Sequence, residues 1–84
     1  MVGRTVLLQV LEGTADANIG FADLRRLLLS LGFAERIKGS HHIFARPDVA
    51  EIMNLQPRAA LAKPYQVKQV RAVLLRYKLA GGVE

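Results

Sequence analysis

Two stretches of helical periodicity bracket a run that suits only strands. Phe21, Leu24, Leu27, Leu28 and Leu31 recur at the spacing of one helix face, and Val67, Val70, Val73, Leu74 and Tyr77 do the same near the other end. Between them, Gly39-Ser40 and Pro47-Asp48 cut the chain into short pieces. Pieces of about six residues match strands, not helices. The pattern predicts strands over residues 33–38, 41–46 and 51–56. In the last of these Met53 and Leu55 alternate with Asn54 and Gln56. Turns this tight join antiparallel neighbours. The chain is therefore an α+β protein: helix, three antiparallel strands, helix.

The boundaries carry their own signals. Asp23 lies in the first turn of its helix, where a negative charge suits the dipole. Gly32 supplies a left-handed stop. Pro57 ends the third strand, and residues 58–63 read as a loop. Pro64 opens the last helix at the position that tolerates a missing N–H, and Gly81-Gly82 closes it. Ahead of this unit, Val6, Leu7, Val10 and Leu11 mark an additional N-terminal helix over residues 2–13, followed by a small-residue linker over 14–20. The whole, residues 1–84, is one domain. Two helices on one face of a small sheet leave the other face open to solvent or ligand.

Composition narrows the setting. A chain of 84 residues buries a thin core. It has no cysteine, so disulfides and thiolate metal sites are excluded, and a reducing cytoplasm is the expected location. The longest near-apolar run, residues 27–34, contains Ser30 and is too short to span a bilayer, and the N-terminus lacks the pattern of a signal peptide. No membrane partner is expected. Twelve Lys and Arg against seven Asp and Glu give a net charge of +5, a modest footprint for phosphate binding or simply a solubilising charge.

The chemistry gathers at Gly39-Ser40-His41-His42, which holds both histidines of the chain. Imidazole is the one side chain whose ordinary pKa lets it give or take a proton near neutrality. Metal-free RNA cleavage needs such proton transfers, and cations to stabilise the charged phosphorane. Arg36, Lys38 and Arg46 flank the histidines, Ser40 can donate to a phosphate oxygen, and Gly39 permits close approach of the backbone. Adjacent strand residues point to opposite faces. If Phe44 is core, His42 turns inward and His41 outward; if Ile43 is core, the assignment reverses. The larger apolar group is Phe44, which favours His41. On the terminal basic helix, Lys68, Arg71 and Arg76, with Lys63 at its entrance, form either a solvated face or a grip on RNA phosphates. The carboxylates match no zinc pattern, and no metal or cofactor is expected.

Four segments then stand out together. Leu31-Gly32-Phe33, Gly39-Ser40-His41-His42-Ile43-Phe44, Asn54-Leu55-Gln56-Pro57, and Lys63-Pro64-Tyr65-Gln66-Val67 with Val70-Arg71 resemble the HicA, or YcfA-like, family of mRNA interferases, over residues 20–79. The Gly-Ser-His motif with an aromatic behind it is the most specific part. The resemblance implies a double-stranded-RNA-binding-like α-β-β-β-α fold. It implies a toxin of a type II toxin–antitoxin system that cleaves mRNA, inhibits growth and is neutralised by a HicB-type antitoxin, with no DNA contact by the toxin itself. It places the catalytic histidine at His41 and keeps His42 in play, because some relatives carry a histidine one position later. The N-terminal helix is an addition to the shortest members, and residues 58–62 are more apolar than the Gly- and Lys-rich segment expected there. A non-catalytic RNA-binding domain of the same fold is the alternative.

Overall fold

The computed structural model describes residues 2–79. It is a small α+β domain with a three-stranded antiparallel sheet and three α-helices. Helix α1 (Val2–Glu12) leads through a 3₁₀ turn (Asp16–Asn18) to α2 (Phe21–Ser30). Strands β1 (Ala34–Lys38), β2 (His41–Arg46) and β3 (Val49–Leu55) form the sheet in the order β1-β2-β3. A two-stranded hairpin, β4 (Pro57–Arg58) and β5 (Leu61–Ala62), precedes α3 (Pro64–Arg76). No helix among the described residues is long and apolar enough to cross a membrane.

One core joins these elements. Phe44, Met53 and Leu55 project from one face of the sheet and are fully buried. Leu24, Leu27 and Leu28 of α2 and Val67, Val70, Val73 and Leu74 of α3 close over them. Each such side chain contributes about 1.5–3 kcal/mol by leaving water. The added helix α1 belongs to the same core: it packs on α2 and α3 and buries Val6, Leu7 and Val10.

Helix α2 ends as its sequence dictates. Gly32 takes φ +92°, its N–H reaches the Leu29 carbonyl, and the Phe33 N–H reaches that of Leu28. This is the Schellman closure, and it buries Phe33 as the chain turns into β1. At Gly39, φ is +60°, the left-handed conformation that the first central position of a type II′ hairpin requires. The two-residue turn then fixes the register: Lys38 faces His41, Ile37 faces His42, Arg36 faces Ile43 and Glu35 faces Phe44.

Four sequence expectations need correction. The first strand starts at Ala34, because Phe33 completes the helix stop. The third runs from Val49 to Leu55, because a bulge between Phe44 and Arg46 brings Val49 into the ladder and into the core. Residues 58–63 hold a hairpin and not a loop. It was hidden because its tip, Ala59-Ala60, lacks turn residues; Ala59 adopts φ +55° without being glycine. The hairpin is pinned to the entrance of α2, where the Phe21 N–H donates to Ala60 O and the Ala62 N–H donates to Ile19 O, both at 2.9 Å. Finally, α3 stops at Arg76 through a second Schellman closure with Lys78 at φ +56°. The glycines expected to close it, Gly81 and Gly82, lie outside the described residues.

Candidate functional site

The sheet has two chemically opposite faces. Because Phe44 is core, His42 turns with it toward the helices, and His41 stands exposed on the outer face. Cross-strand partners share a face, so the register puts Lys38 directly beside His41, and Arg36 one step along beside Ile43 and Asn54. His41 Nδ1 lies 3.0 Å from Asn54 Oδ1. Alternation along the three strands assigns Ala34, Arg36, Lys38, His41, Ile43, Ala45, Ala50, Ile52 and Asn54 to this face, and none is a carboxylate. At its far end Ala34, Ala45, Pro47, Val49, Ala50 and Ile52, together with Arg46, line a shallow, mostly apolar hollow.

Behind the sheet, His42 is clamped. Its Nδ1 lies 2.8 Å from Glu35 Oε2, and its ring meets Phe21 edge-on with centroids 4.8 Å apart. Arg25 of α2 donates Nε–H to the same carboxylate at 2.7 Å. The Glu35 side chain is only 7% exposed. The Arg25 hydrogen bond holds its carboxyl below the usual carboxylate range, with His42 adding to the effect and burial opposing it. An ionised carboxylate only accepts, so the shared hydrogen resides on His42 Nδ1.

The hairpin turn is wired to the entrance of α3. Gln56 donates Nε2–H to Ser40 Oγ at 2.9 Å, and Lys63 Nζ reaches Gln56 Oε1 at 3.4 Å. The Gln56 backbone N–H donates to Oε1 of Gln66, which is buried and thereby satisfied. Ser40, Lys63 and His41 thus gather at one end of the sheet.

Other cations are engaged elsewhere. Arg46 lies on the helix side, donating to the Leu31 carbonyl at 2.9 Å, pairing with Asp48 at 2.8 Å and covering the Phe33 ring. Arg71 grips Asp16 with both terminal nitrogens and donates to Val10 O, which ties α3 to the end of α1. Arg76 pairs with Glu51. Lys68 is exposed on α3, the helix that covers the opposite face of the sheet from His41. Among the described residues, Arg36, Lys38, Lys63 and Lys68 have no carboxylate within ion-pair distance.

Sequence reasoning passed over Glu35, Arg25, Asn54 and Gln56 as site residues. The signal was there for Glu35: a two-residue turn at Gly39-Ser40 puts it diagonal to His42 on the same face. Among the described residues, no three His, Cys, Asp or Glu side chains lie together as metal ligands. Comparison of the chain with family models, curated proteins and solved structures gives no match.

Proposed function

We propose that the chain is an endoribonuclease toxin of the HicA kind, cutting mRNA without a metal and held in check by a HicB-type antitoxin. One observation carries this reading: an exposed imidazole, His41, on a carboxylate-free sheet face with Lys38 and Arg36 beside it. The order helix, three antiparallel strands, helix supports the double-stranded-RNA-binding-like fold that goes with the Gly39-Ser40-His41 motif.

The chemistry follows from what these groups can do. A ribose 2′-oxygen loses its proton and bonds to the adjacent phosphorus. The bond from phosphorus to the 5′-oxygen breaks, and that oxygen takes up a proton, from the imidazole or from water. His41 performs one of the two proton transfers. Lys38, Arg36 and Lys63 offset the charge of the phosphorane, and the Ser40 hydroxyl, whose oxygen already accepts from Gln56, donates to a phosphate oxygen.

The test is direct. Purified protein should cut mRNA with EDTA present, and His41→Ala should bind RNA yet cut about 10²–10⁴-fold more slowly. Expression should arrest growth, and coexpressed antitoxin should relieve it. Undiminished cutting by both His41→Ala and His42→Ala rejects the imidazole role. A chain that binds RNA, leaves it intact and is tolerated by cells is the non-catalytic RNA-binding domain instead.

A further inference from the structure

We infer that Asn54 is the positioning residue that holds His41 in the Nδ1–H tautomer, leaving Nε2 bare to act as the general base. The inference rests on the nuclease reading above and adds which proton transfer His41 performs. It starts from the contact between His41 Nδ1 and Asn54 Oδ1 at 3.0 Å. An amide oxygen has no hydrogen to give, so the shared hydrogen belongs to the ring nitrogen. A neutral imidazole with its hydrogen on Nδ1 carries a free lone pair on Nε2. Nε2 of His41 has no protein partner among the described residues, and the ring is exposed on the outer face. A base must arrive at its substrate in that state.

The two histidines show why the partner is an amide. His42 faces the Glu35 carboxylate. His41 faces a neutral acceptor. Its charged neighbour on β1 is Lys38, across the ladder, with Arg36 further along; on β3 its partner is Asn54, and just past β3, toward the Ser40 end, comes Gln56 with Lys63 behind it. No carboxylate faces it from any strand, and the helices lie on the other side of the sheet. The amide thus fixes orientation and tautomer without placing a negative charge against the ring. In the reaction, the 2′-hydroxyl proton passes to Nε2 as the 2′-oxygen bonds to phosphorus, the ring becomes imidazolium, the 5′-oxygen leaves and takes a proton from water, and the Asn54 carbonyl accepts from the ring Nδ1–H throughout.

The experiment reads tautomer and rate separately. ¹⁵N NMR of the neutral His41 ring should show Nδ1–H in the full chain. Asn54→Ala should shift it toward the Nε2–H form that free imidazole favours, and cleavage should fall about tenfold in kcat with KM little changed, since a minority of rings still presents a bare Nε2. Asn54→Asp should keep the tautomer, because a carboxylate oxygen likewise accepts from the ring Nδ1–H. Asn54 is exposed, and amide spectra of both variants check that the fold is kept. An Nε2–H ring in the unmutated chain overturns the inference, as does Asn54→Ala with unchanged tautomer and rate. A chain with the expected tautomer that cuts no RNA rejects the nuclease reading and the base role together, and leaves Asn54 only its hold on the ring.

Discussion

Glu35 is the residue on which two elements converge, since Arg25 of α2 and His42 of β2 both bond its carboxylate. Its carboxyl is held below its unfolded value, first by Arg25. A lowered carboxyl pKa contributes stability that is present above the unfolded value, about 4.3, and lost as pH falls through the folded value. Glu35→Gln should therefore be less stable than the parent at pH 7, and the gap should close as pH drops below about 4. Urea unfolding at both pH values checks this; a gap of equal size at each would assign the loss to shape and not to charge. The sequence contained the pair but not its burial. Glu35 sits in a strand that otherwise reads as exposed, with only Ile37 apolar beyond it, and nothing in Ala34-Glu35-Arg36-Ile37-Lys38 marks which face α2 covers.

Elements with strong local rules were legible. Gly32, Pro64 and the two-residue turn at Gly39 each do in the structure what their chemistry requires. Where a residue breaks the rule, reading it from sequence fails. The β4–β5 hairpin turns on Ala59, and the closure after α3 turns on Lys78, both in left-handed conformations that favour glycine. A non-glycine residue there costs about 1 kcal/mol or more. Lys78→Gly should raise the stability of the domain by about 0.5–1 kcal/mol, the relief being partly offset by the extra freedom of glycine in the unfolded chain. Thermal or urea unfolding measures it, and a loss of stability would mean that the Lys78 side chain makes a contact worth more than the strain. The role of α1 was likewise only half visible: its apolar stripe predicted a helix, while its tie to α3 includes Arg71 crossing to Val10 O and Asp16.

Charge has to be read for the molecule as a whole. Arg25, Arg26, Arg46, Arg71 and Arg76 are each matched to a carboxylate, so the excess positive charge falls on the unmatched cations, and Arg36, Lys38 and Lys63 lie toward the His41 end. Composition gave the net charge but not which cations are matched. RNA affinity, measured on His41→Ala to prevent cutting, should fall with salt, and Lys38→Gln should flatten the log–log slope by about 0.7, the share of one single-strand phosphate contact. Arg71→Gln should leave the slope alone and lower stability instead, because Asp16 loses its partner. Equal slopes for Lys38→Gln and the parent would move the contact elsewhere. The thinness of the sheet has a last consequence. His41 and His42 are consecutive, so one peptide unit separates the bare side from the interior that Phe44 fills. Whatever settles on the outer side rests on the same strand that anchors the hydrophobic centre. Occupancy and resistance to melting are therefore thermodynamically linked, so a ligand bound there would also brace the fold.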